Sequence, residues 1–135
     1  MIEGYVTQTG TGDVDSIARA LTMLRSASIL DRQLETYFNS QGLSQLKFHI
    51  LIVIDREPDR TSLRQSEINQ RLDVSKPVLH RTTTALTKDG YLRSLNDPDD
   101  SRAHLLELTD VGRIKLEGLL PAYFQLIAGF MQGEN

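Results

Sequence analysis

The chain has 135 residues, 39% hydrophobic and 24% charged, with a formal net charge of −3 and no cysteine. That length makes one ordinary domain with enough apolar content to bury a core. The absence of thiols excludes a disulfide framework, thiolate metal sites, a cysteine nucleophile and a cysteine redox switch. No apolar run approaches the ~18 residues that a bilayer span needs, so no membrane association and a cytoplasmic location are expected.

Residues 1–12 are polar and rich in Gly and Thr and read as a flexible tail; residues 13–135 form the single domain. Asp13 or Asp15 opens a long helix over about 14–40, with Ile17, Leu21, Leu24, Leu34, Tyr37 and Phe38 at helical spacing and Gly42 as its stop. Ser44 caps a second helix, Gln45 to about Arg56, with Pro58 just beyond. A third covers Gln65 to Leu72, Asp73-Val74 makes a turn, and Ser75 caps a fourth from Lys76 to Lys88. Asp89-Gly90 ends that helix, the glycine supplying a left-handed closing residue. The period then changes. Tyr91–Leu95 and Ala103–Leu108 read as two strands joined by the turn-rich Asn96–Ser101. Thr109 caps a last helix, about 110–131, with Pro121 inside it, where a bend is expected.

The net acidity hides an asymmetry. Between Arg60 and Arg93 there are seven basic residues and three acidic ones, so the rest of the chain is strongly acidic. A positive middle can bind a polyanion, although charge alone does not separate this from a solvated, mixed-charge helical surface. The order of elements is more informative. Two short helices across a tight turn, followed directly by a β-hairpin, make a winged helix-turn-helix over about 43–108. The fold class is therefore mainly α with a small β-hairpin wing. In the fourth helix Leu79, Thr83 and Leu86 fall on one face and can pack on Ile68 and Leu72. Lys76, Pro77, His80, Arg81, Thr84 and Lys88 fall on the other. A helix with such a face suits a DNA major groove, where Arg can fork onto guanine and Thr or His can reach base edges or phosphate. Backbone N–H groups at its start suit a phosphate.

The segments Leu63–Ile68, Arg71–Pro77 and Leu86–Leu92 resemble the MarR family of bacterial transcriptional regulators. The hairpin Asn96–Ala103, the run Leu106–Arg113 and the preceding Leu43–Leu51 resemble it too, so the likeness covers roughly residues 14–131. The resemblance implies a homodimer, joined by helices at about 14–40 and 110–131, that binds a pseudo-palindromic DNA duplex and represses transcription. It makes Ser75, Lys76, Pro77, His80, Arg81 and Thr84 the groove-facing set and Arg102 the wing arginine, oriented by Asp100. A narrow A·T-rich minor groove would attract that arginine. The resemblance also implies a small phenolic or lipophilic effector near the junction of the dimer and DNA-reading lobes.

Three departures stand out: Ser101 where the family often has arginine, Arg64 where it commonly has a capping Thr, and a chain that stops at Asn135, a helix short of the usual length. Leu119, Leu120, Phe124, Ile127 and Phe130 are the residues expected to be shared across a dimer.

Other chemistries fare worse. A calcium loop counted from Asp97 would need Gly at its sixth position and Glu at its twelfth, where Arg102 and Leu108 stand. His49, His80 and His104 lack ligand spacing, so no metal and no cofactor are expected; His49 and His104 read as structural or surface residues. No glycine-flanked strained serine and no phosphate-cradling loop supports an enzyme. Met23, Tyr37, Phe38, Phe48, Tyr123 and Phe124 read better as core and interface than as a pocket lining. The alternative function is a winged-helix protein-interaction module that no longer binds DNA.

Overall fold

The structure is a computed structural model and describes residues 2–10 and 12–133. Its elements in chain order are α1 (Ile2–Thr9), α2 (Val14–Ser40), α3 (Gln45–Asp55), β1 (Ser62–Arg64), α4 (Gln65–Arg71), α5 (Lys76–Lys88), β2 (Leu92–Asp97), β3 (Asp100–Leu108) and α6 (Asp110–Met131). The caps explain most boundaries. Asp13, Ser44, Ser75 and Thr109 each accept from the backbone N–H three residues on, satisfying a donor the helix start leaves over. Gly42 and Gly90 follow their helices at φ 76° and 85°, the left-handed conformation that a side chain resists.

Three expectations about local structure change. The stretch read as a tail carries the helix α1, none of whose residues is buried. The sheet has three antiparallel strands rather than two, in the order β1-β3-β2, because Ser62–Arg64 pairs with Glu107–Leu105. The hairpin is also longer than expected. β2 and β3 pair as far as Asp97 with Asp100, which leaves Pro98 and Asp99 at the tip.

Leu79, Leu86, Ile68, Leu63 and Leu92 close the core beneath α4, α5 and the sheet. Fully burying each such side chain is worth about 1.5–3 kcal/mol. An aromatic cluster joins α2, α3 and α6: ring centroids of Phe38 and Phe48 lie 4.5 Å apart, and those of Phe48 and Tyr123 4.6 Å apart. Tyr37 donates its hydroxyl to the Leu119 carbonyl at 2.8 Å, tying α2 to α6 again. One link between this lobe and the winged one, besides the shared core, lies at Thr109. Thr109 Oγ1 donates to Gly90 O at 2.6 Å and accepts from Gly112 N at 3.0 Å, while Thr109 N donates to Tyr91 O at 3.1 Å. Gly112 is required there, since a Cβ would stand 2.1 Å from the Tyr91 carbonyl oxygen.

Much of the apolar stripe on the two helices expected to join a dimer is open. On α2 only Leu34 and Phe38 are buried, while Met23 and Leu24 are 70% and 67% exposed. On α6 Ile114 and Phe124 are 69% and 58% exposed, whereas Leu119, expected on a shared face, is a core residue at 2%. No helix among the described residues is long and apolar enough to cross a membrane.

Candidate nucleic-acid interface

Helix α5 divides as its sequence divides. Leu79, Thr83 and Leu86 are buried, and Ser75, Lys76, Pro77, His80, Arg81, Thr84 and Lys88 are exposed. Its first turn offers fewer backbone donors than a helix start usually does. Ser75 Oγ takes the Val78 N–H at 3.4 Å, and Pro77 has none to give, which leaves that of Lys76. Thr84 spends its hydroxyl proton on His80 O at 2.8 Å. It therefore turns a methyl and acceptor lone pairs outward, a chemistry for donors and for a thymine methyl rather than for phosphate oxygens. His80 Nδ1 lies 3.4 Å from the Gln65 side-chain nitrogen, and Gln65 Oε1 lies 3.1 Å from the Thr83 hydroxyl. His80 is thus steadied from α4 while staying at the surface.

The wing flanks this face. A cleft of about 680 Å³ runs between α5 and the hairpin, walled by His80, Thr84 and Lys88 on one side and by Arg102 and His104 on the other. Asp100 Oδ1 accepts from the Arg102 backbone N–H at 2.9 Å, so its contact with Arg102 is to the backbone of the turn and not to the guanidinium. His49 is half-buried on α3, and burial lowers its pKa against the raising effect of Glu35 and Asp31. Among the described residues no group of three or more His, Cys, Asp or Glu is placed to hold a metal ion.

The basic middle of the sequence is sorted by its partners. Arg60 forks onto Glu67, with Nη2 to Oε2 at 2.6 Å and Nη1 to Oε1 at 3.1 Å. That hydrogen bond holds the Glu67 carboxyl below its ordinary range, helped by the Arg64 backbone N–H. Arg71 pairs with Glu57 at 3.1 Å, Arg93 with Glu107 at 2.7 Å and Arg64 with Asp97 at 2.5 Å. Three of these acids, Glu57, Asp97 and Glu107, come from outside the basic window, which is why charge counting along the chain missed them. Lys76, Arg81, Lys88 and Arg102 have no ion pair among the described residues. Within the basic middle, the unpaired cations therefore contract onto α5, next to Arg102 of the wing, and one missed residue, Arg64, gains a role that its helix-start position did not announce.

Comparison with known proteins agrees with this geometry. A model of the MarR family matches residues 41–103. The chain is 29% identical over 120 residues to the HTH-type transcriptional repressor YetL of Bacillus subtilis, covering 89% of this chain and 71% of the relative. It is 34% identical over 72 residues to the transcriptional regulator AdcR of Streptococcus pneumoniae, covering 53% of this chain and 47% of that protein. In fold it is similar to Sco3205, a MarR family transcriptional regulator from Streptomyces coelicolor solved in complex with DNA. There the TM-score is 0.83 at 19% identity, over 93% of this chain and 78% of that one.

Proposed function

We propose that this chain, which matches a MarR family model over residues 41–103 and resembles a transcriptional repressor over 89% of its length, is a MarR-type regulator that works as a homodimeric, cytoplasmic repressor and reads a pseudo-palindromic duplex through α5. The observation that carries this reading is the sorting of cations within the basic middle and the wing: from Arg60 to Arg102, those without an acidic partner among the described residues are Lys76, Arg81 and Lys88 on the outward face of α5 and Arg102 on the wing beside it. Arg81 forks onto a base edge in the major groove, and Lys76, Lys88 and the Lys76 N–H hold phosphates. Ser75 caps the reading helix and Pro77 fixes its first turn. His80 and Thr84 meet base edges. Arg102 enters the flanking minor groove from a turn that Asp100 shapes.

The exposed apolar residues of α2 and α6 supply the dimer, which sets two copies of α5 about one helical turn apart. A phenolic or lipophilic effector bound near the junction of the lobes would change that spacing and lower affinity for a fixed operator. No catalytic step is assigned to any residue.

Selection of bound duplexes from a random DNA pool at physiological salt tests the reading. It expects a pseudo-palindrome with half-sites ~10–10.5 bp apart. Recovery of single half-sites would count against the dimer. No enrichment would overturn DNA reading and favour a winged helix that binds protein.

A further inference from the structure

Strand β1 supports the wing only at its base. It pairs with β3 over Leu105–Glu107, so beyond Leu105 the hairpin runs on as a two-stranded ribbon with no third strand. A lone two-stranded ribbon is marginal in water, and one that must present Arg102 at a set angle needs a brace. The ribbon contains one buried carboxylate. Asp97, at a register irregularity beside the tip, has a side chain only 3% exposed. Its Oδ1 accepts from Asp99 N at 2.9 Å, which shapes the turn, and its Oδ2 accepts from Arg64 Nε at 2.5 Å. A carboxylate withdrawn from water is tolerated when its oxygens are satisfied in this way.

Arg64 is anchored at the other end. It stands at the junction of β1 and α4, opposite Leu105 in the sheet, with its backbone N–H held by Glu67 Oε1 at 2.9 Å. An arginine cannot cap a helix through its side chain, since it has no acceptor, and here the side chain spans to the wing instead. Among the described residues this is the ion pair that reaches the ribbon beyond β1. The same Arg64 lines the cleft between α5 and Arg102 on one side and the recess containing Pro98 and Asp99 on the other.

We propose that Arg64 is a positioning residue for DNA recognition: pinned to Asp97, it fixes the angle between the wing ribbon and α5 and thereby where Arg102 meets the flanking groove. This rests on the DNA-reading function proposed above. The pair makes its own control, because the two residues carry opposite charges. If only net charge mattered, Arg64→Gln would weaken DNA binding and Asp97→Asn would strengthen it. If the pair is a brace, both weaken it at the same place.

The test uses the intact chain, with Arg64→Gln, Asp97→Asn, the double variant and Arg64→Lys, the last keeping the charge without Nε. Asn at 97 retains an Oδ1 acceptor for Asp99 N, so the turn keeps its own hydrogen bond. Hydroxyl-radical footprints on a selected duplex should lose protection at the flanks and retain it in the half-site cores. Affinity should fall roughly tenfold in each single variant, one contact's worth, and no further in the double. Hydrogen exchange of the DNA-free proteins should speed up at residues 96–104 in all four. Asp97→Asn with wild-type or tighter binding and unchanged flanks would overturn the proposal, as would unchanged exchange in the ribbon. If the wild type protects no duplex, DNA reading fails, and exchange alone decides the brace.

Discussion

The winged lobe and the α2/α6 lobe expose opposite kinds of surface. The winged lobe closes its apolar residues inward and leaves Lys76, Arg81, Lys88 and Arg102 without acidic partners. The helical lobe satisfies little of its outer apolar stripe, and Met23, Leu24, Ile114 and Phe124 stand in water. The difference shows that each lobe is incomplete in its own way: one lacks anions, the other lacks apolar cover. Large apolar side chains left open in groups mark association surfaces, whereas a cationic helix face marks a polyanion. The Thr109 hydroxyl joins the two lobes where α5 ends and α6 begins, donating to Gly90 O and accepting from Gly112 N.

The largest expected effect breaks the winged lobe from within. Leu86→Ala removes a fully buried side chain beneath α5 and should cost about 2–5 kcal/mol in chemical denaturation, with DNA binding lost as the lobe loosens. Next, Phe124→Asp places a charge on the open apolar face, where the wild-type ring is 58% exposed and meets the tilted ring of Tyr123. It should weaken self-association by at least about tenfold, or 1.4 kcal/mol, in sedimentation, with the helical circular dichroism unchanged. A dimer of wild-type strength would separate the open stripe from assembly.

Smaller effects sharpen the contrast between paired and unpaired cations. Lys88→Gln should lower the slope of log affinity against log salt by about 1, whereas Arg93→Gln, whose wild-type side chain is already engaged by Glu107, should leave it nearly unchanged. The smallest effect is in acid. The Glu67 carboxyl titrates below its ordinary 4.5 because Arg60 binds its charged form. Its contribution is therefore present above that value and fades as pH falls through its lowered pKa. Glu67→Gln should flatten that part of the stability–pH curve by under about 1 kcal/mol, as suits an exposed pair.

Apart from α1, which lies in a stretch read as a tail, the helices were legible because their punctuation is local: Asp13, Ser44, Ser75 and Thr109 cap where the chain suggests, and Gly42 and Gly90 close where it suggests. The outward set on α5 was legible from period alone. What escaped depends on distant partners. Ser62-Leu63-Arg64 is too short to show an alternating pattern and becomes a strand only by pairing with β3. The hairpin outran its expected ends because Asp97 pairs with Asp100 across a turn that composition marks as loop. Arg64 reaches an acid 33 residues away, beyond the end of the basic window at Arg93. The stripe on α2 has the spacing of a core face, and spacing does not say whether the cover comes from the same chain.

Whether the outward face of α5 reads base sequence is decided at Arg81. Its exposed guanidinium has no ion pair among the described residues to release. Binding of the wild type and of Arg81→Ala is measured against every single-base-pair variant of a selected duplex. A bidentate contact from Arg81 gives a loss of ~1–3 kcal/mol of discrimination confined to one base pair in each half-site. Equal weakening across all variants would contradict it and leave Arg81 as a phosphate contact.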